Sequence, residues 1–267
     1  MGEHDTTIWL AVVFTLGFLT EAAVGFGSTL LVVALAAHMV PLTTLLPVFQ
    51  PLALVLSMVI VLRERTNIHL SFLARQVLPF MLPGLCIGML LYRVWRAEAL
   101  LLVVGVVIAG LALVELRRLM SGADDAHPSR SVLGSTLLAA GVVHGLFGTS
   151  GPLVVWAASR VLDDKARFRA TLSLLWLLLS TVLVIGFVVD GSLGAAEVSR
   201  SLVLAPTILG GYLVGDAVHR RVPQRAFRLA VCVLLIAAGT VLALRAAPAA
   251  LAFSGRLGST SSDGSYR

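Results

Sequence analysis

The chain has 267 residues, of which 58% are apolar and 13% charged, and its mean hydropathy is +0.97. A soluble domain carries roughly 25% charged residues, so this composition excludes an ordinary water-soluble globule. The net charge of +6 sits in short runs between long apolar stretches, which fits membrane-topology signals and argues against a nucleic-acid-binding surface.

In chain order, the opening Met1-Gly2-Glu3-His4-Asp5 lacks the basic segment of a cleavable signal peptide, so the first apolar segment is expected to be retained. Residues 8–24 are apolar, Gly25-Phe26-Gly27-Ser28-Thr29 interrupts them, and a shorter apolar run over 30–40 ends at Pro41. Three stretches of spanning length follow at 42–62, 70–92 and 98–120, then a polar linker at 121–130. The second half opens with 131–144, an interruption Gly145-Leu146-Phe147-Gly148-Thr149-Ser150-Gly151-Pro152, and a short run over 153–162. Spans at 170–189, 198–219 and 226–246 complete it, and the Gly/Ser-rich tail 247–267 is expected to be disordered. About twenty residues at 1.5 Å each cross the roughly 30 Å hydrocarbon core, so six stretches of that length predict an all-α, polytopic transmembrane fold.

The halves resemble each other. Phe26-Gly27-Ser28-Thr29 matches Phe147-Gly148-Thr149-Ser150 at an offset of 121, and Pro79, Gly84 and Gly88 match Pro206, Gly211 and Gly215 at an offset of 127. This predicts two repeats, 1–120 and 131–246. Each opens with two arms of about 10 to 17 residues, marginal or too short to span. Glycine clusters break helices, and in lipid the freed backbone is tolerated only against protein or a wet cavity. A re-entrant hairpin fits those lengths. A hairpin plus three spans is an odd number of crossings per repeat, so the repeats must be inverted. The resulting topology places 14 Lys and Arg residues inside, including Arg63, Arg65, Lys165, Arg169 and Arg220, and 6 outside. Parallel repeats would give about 10 on each side, so the positive-inside rule selects inversion, with both termini periplasmic.

Paired broken helices are a transporter design, because half-helix N-termini offer unpaired N–H groups to an anion. The candidate binding residues are Gly25, Phe26, Gly27, Ser28 and Thr29 in the first break, with Phe147, Gly148, Thr149, Ser150 and Gly151 in the second. Gln50 and Ser173 occupy equivalent places in the third segments and are expected to line the same cavity, as is Trp176. The glycines at 84, 88, 211 and 215 read instead as packing residues. Glu21 and His144 each lie one turn before a break. Buried ionisable groups in membranes are functional candidates, so either is a candidate proton carrier, and Glu21 reads equally as a hydrogen-bonded structural residue.

The stretches GLFGTSGPLVVWAASR, RATLSLLWLLLSTV and PTILGGYLVGDAVHRRVPQRAFRLAVCVLLIAAG resemble the TauE/SafE family, strongest over 141–246. The resemblance implies inner-membrane export or uptake of sulfite, sulfonates or related organosulfur anions. The family's first motif usually carries three adjacent glycines, where this chain has Gly25-Phe26-Gly27-Ser28-Thr29. Expected partners are a small sulfur oxyanion or organosulfonate, membrane lipids and protons, with a homodimer left open. No cofactor or metal is implied, since Cys86 and Cys232 lie in apolar segments without CxxC spacing. The alternative class is an intramembrane enzyme acting on lipid phosphates, but the clustered carboxylates and the arginine beside a glycine-rich loop that such chemistry needs are missing. A thiol-disulfide carrier would need paired reactive cysteines.

Overall fold

The computed structural model describes residues 3–36, 39–92, 129–147, 151–162, 164–223 and 225–227, with isolated positions between 110 and 120 and between 229 and 240. The predicted spans 98–120 and 226–246, most of the linker and the tail fall largely outside these residues. Among the described residues all regular structure is helical.

Helix α1, Glu3–Val24, is longer than its apolar core predicts and is long enough to cross a membrane by itself. The extension contains Asp5, whose negative charge complements the positive end of the helix dipole. After the break, α2 (Ser28–Ala36) packs against α1, with Gly17 so near Ser28 and Val32 that a Cβ there would lie 3.0 Å from Val32 Cγ2. The residue pairs in contact (17 with 32, 20 with 27, 21 with 28) run in opposite senses, so α2 turns back along α1. Helix α3 covers Leu42–Arg63 and carries Pro47 and Pro51.

Next come α4 (Leu70–Phe72), a π-helical turn over Leu73–Val77, and α5 (Leu78–Tyr92). Pro79 has no N–H for the Arg75 carbonyl, and the turn before it is widened, with the Leu78 N–H donating five residues back to Leu73 O. In the second half, α6 is Arg130–Phe147, α7 is Gly151–Ser159, and α8 is Lys165–Val189. Asp164 caps α8 by accepting from the Arg167 N–H at 2.8 Å. Helices α9 (Ala195–Leu204) and α10 (Pro206–Arg221) meet at a 42° bend where Pro206 again removes a donor. Among the described residues four helical stretches can cross a membrane by length and composition, or five if the bent pair α9–α10 is one span.

Packing is reciprocal between the halves: α5 lies on α6, α10 lies on α1, and α3 lies on α8. Glycine makes the first two contacts possible. A Cβ on Gly84 would sit 2.2 Å from Leu138 O, one on Gly141 2.2 Å from Met81 O, and one on Gly211 2.6 Å from Phe18 Cβ. These are backbone-to-backbone approaches of the kind small residues permit in membranes, and the packing reading of Gly84, Gly211 and Gly215 is what the geometry displays. The outward faces stay apolar: Val182, Val189, Leu90 and Leu209 are all more than 60% exposed. Such surface is costly in water and suits lipid. Cys86 also lies on an exposed face of α5, so it is not the packing residue its apolar surroundings suggest.

Candidate functional site

Residues 25–27 form the turn between α1 and α2. Gly25 and Gly27 have φ of +90° and +101°, the left-handed region open to glycine. Gly25 is constrained twice, since a Cβ would also lie 2.9 Å from the Arg169 Cα. The chain then starts α2 at Ser28. The N–H groups of Ser28, Thr29 and Leu30, in its first turn, have no acceptor among the described residues.

That first turn opens on a cavity of about 50 Å³ lined by Glu21, Phe26, Gly27, Ser28, Thr29, Leu30, Gln50, Ala53, His144, Gly151, Trp176, Leu179, Ser180 and Leu183. A water needs roughly 10–15 Å³ on this measure, so the space suits a few waters or one small oxyanion. The start of α7 reaches it too: a Cβ on Gly151 would lie 4.0 Å from Leu30 Cδ1. Two helix N-termini, one from each half, therefore converge here.

The polar walls are interconnected. Glu21, 3% exposed, accepts from the Ser28 hydroxyl and from the Ser57 hydroxyl, the latter at 2.9 Å. Ser180 donates to Gln50 Oε1 at 3.1 Å. Trp176 gives its indole N–H to Gly25 O at 2.8 Å, so it offers the cavity its ring and not a donor.

The carbonyl end of α1 is treated differently from the amide end of α2. Ala22 O accepts from Arg169 Nη1 at 2.7 Å, Ala23 O pairs with His219 Nδ1 at 2.8 Å, and Gly25 O takes the Trp176 bond. Three side chains of the second half thus occupy carbonyls that a helix end leaves free. Three of the acceptors here are taken and the donors are open, a polarity suited to an anion.

Of the residues predicted from sequence, Glu21, Phe26, Gly27, Ser28, Thr29, Gln50, His144, Gly151 and Trp176 are brought together around this cavity. Gly25 stands behind it, through the Trp176 bond. Ser173 is fully buried but does not line it, and its hydroxyl has no partner among the described residues. The side chain of Phe147, and Gly148, Thr149 and Ser150, lie outside the described residues. Ser180, Ser57 and Ala53 were missed, although they continue the helical faces of Trp176 and Gln50 at i+4, i+7 and i+3. Arg169 needs a correction. It is not an exposed loop charge but is 2% exposed, bonded to Glu64 and to Asp216 at 3.0 Å, and Asp216 also takes Arg220 at 2.5 Å. Asp216 is a second buried carboxylate, so Glu21 is not alone at depth. A separate, mostly apolar cavity of about 440 Å³ near Thr6, Thr44 and Arg200 contains none of the predicted residues.

Apolar helices with lipid-suited outer faces, around a small polar cavity where two helix starts meet, characterise a polytopic membrane transporter. The family comparison agrees and narrows it: the chain belongs to the Sulfite exporter TauE/SafE family, whose profile matches residues 9–242. Over 103 residues it is 32% identical to the probable inner membrane transporter protein TsaS of Comamonas testosteroni. That stretch is 38% of this chain and spans 43% of the relative. No solved structure matches the chain. Family and relative are transporters, not enzymes.

Proposed function

We propose that the chain is an inner-membrane secondary transporter of a small sulfur oxyanion or organosulfonate, bound in the cavity between the two helix starts. The observation that carries this is the open amide end of α2 at Ser28, Thr29 and Leu30, beside a carbonyl end already capped by Arg169, His219 and Trp176. The Thr29 hydroxyl adds a neutral donor, while that of Ser28 is given to Glu21. A sulfite or sulfonate head carries three acceptor oxygens and can use several such donors at once. The name of the family and that of the relative support sulfur anions and the inner membrane.

The same reading takes 1–120 and 131–246 as inverted repeats, each opening with a re-entrant hairpin. Support comes from the reciprocal packing of α5 on α6 and α10 on α1, from the reversal of α2 along α1, and from the charge asymmetry of the loops. Protons enter through Glu21. An ionised carboxylate about 5 Å from a bound anion, at an effective dielectric of about 20, opposes it by roughly 3 kcal/mol. Anion and Glu21 proton would therefore favour each other's binding, and His144, in the same cavity, is the alternative carrier.

The test is to fill the cavity. Ala53 is 4% exposed and lines it, and Ala53→Leu should abolish binding of sulfite, sulfoacetate and taurine while the protein still inserts and melts cooperatively. Normal affinity in that variant would place the binding site elsewhere. Lactate, presented alongside, separates a sulfur oxyanion site from a general carboxylate site.

A further inference from the structure

The polar strip that α8 presents to the cavity continues beyond Trp176. Ser173 lies one turn before it, and Arg169 one turn before Ser173, on the same helical face. The Ser173 hydroxyl is wholly buried and unpartnered among the described residues, so the strip stays polar where nothing in the fold uses it. It ends at a guanidinium whose bonds reach three other helices. Arg169 donates to Ala22 O of α1 at 2.7 Å, to Glu64 at the end of α3, and to Asp216 of α10 at 3.0 Å. With Arg220 on Asp216, two cations face two carboxylates and the cluster is charge-balanced.

Its position is fixed by the order of residues along each helix. On α3, Gln50 and Ala53 line the cavity, Ser57 touches Glu21, and Glu64 follows. On α1, Glu21 lines the cavity and Ala22 carries the Arg169 bond. The ionic layer is thus the next layer beyond the cavity, on the face that bears Arg63, Arg65, Lys165 and Arg220. On the opposite side from the ionic layer, Phe14 and Phe18 of α1 and Phe49 of α3 pack on one another, with ring centroids 5.0 to 6.1 Å apart. The basic end carries the charged cluster.

We propose that Arg169 is a positioning residue of the transport site and the closing element of its basic face. Paired with Glu64 and Asp216, it holds the carbonyl end of α1 and blocks the path. When the pairs part, the face opens and the guanidinium is released toward the passing anion. This rests on reading the cavity as the transport site.

The experiment uses Ser180→Cys as a reporter in the cavity of a protein carrying Cys86→Ala and Cys232→Ala. Sealed vesicles of each orientation receive a small sulfonate-bearing thiol reagent. Replacing Glu64 with Gln and Asp216 with Asn should speed labelling about tenfold from the side bearing Lys165, through a shift toward the open form, and leave the other side unchanged. Arg169→Lys keeps a cation but cannot serve all three acceptors, and should speed labelling from the same side. Should the double variant fail to insert, Glu64→Gln alone is read the same way. Unchanged labelling, or acceleration from both sides alike as general loosening would give, overturns the proposal. Failure of a sulfonate to protect the reporter would count against the cavity as the transport site, and the one-sided acceleration would still decide the role of Arg169.

Discussion

Glu21→Gln tests how the cavity reconciles a buried carboxylate with an anionic substrate. The substitution keeps the shape of a side chain that accepts from both Ser28 and Ser57. Gln has one acceptor oxygen where the carboxylate has two, so one hydroxyl loses its acceptor, at a cost of about 1 kcal/mol or several-fold in affinity. That loss is independent of pH. The electrostatic effect is not: the roughly 3 kcal/mol of repulsion between ionised Glu21 and an anion at about 5 Å corresponds to on the order of 100-fold in affinity. Because the proton removes the repulsion, the wild-type protein should bind best at low pH. Affinity should fall as pH rises and Glu21 ionises, until that limit is reached. The assay is calorimetric binding of an alkyl sulfonate, charged across the whole range, at half-unit steps of pH, with net flux in proteoliposomes in parallel. Glu21→Gln should give a flat profile. A variant that keeps the wild-type slope would refute the assignment, and a slope lost in His144→Gln instead would transfer the proton to His144.

Three further outcomes follow from the packing and the charge pattern. Gly211→Ala forces a Cβ to within 2.6 Å of Phe18 Cβ and 2.9 Å of α1 backbone, so it should cost about 1–3 kcal/mol and lower the melting temperature by several degrees. Its neighbour Gly210 has only Thr15 Cγ2 at 3.8 Å, and Gly210→Ala should be neutral or stabilising by up to about 1 kcal/mol in the same melt, because alanine is the better helix former. Alkaline phosphatase fused after Ala247 should be active and a fusion in the loop before Lys165 inactive; the opposite pattern would invert the membrane orientation.

Much of the architecture was legible because lipid imposes simple rules. The spans around α3, α5 and α8 follow from apolar length, and the break at 25–27 from glycines that leave backbone groups unpaired. The proline matched between the halves marks a disturbed helix in each: its missing N–H accompanies the π-turn before Pro79 and the bend at Pro206. Glu21, Gln50, His144 and Trp176 were found because a polar or aromatic side chain is conspicuous in an apolar segment. Arg169 and Asp216 escaped the same test because they lie near helix ends, where a charge reads as an interfacial marker whether it faces water or a buried partner. Apolar run lengths and the glycine breaks, then, were enough to determine a membrane bundle with a candidate anion site. Only the tertiary structure decided that the carbonyls of Ala22, Ala23 and Gly25 are capped by Arg169, His219 and Trp176, since residues some 150 to 200 positions apart meet only when the helices pack, and no local period encodes which ends will face each other.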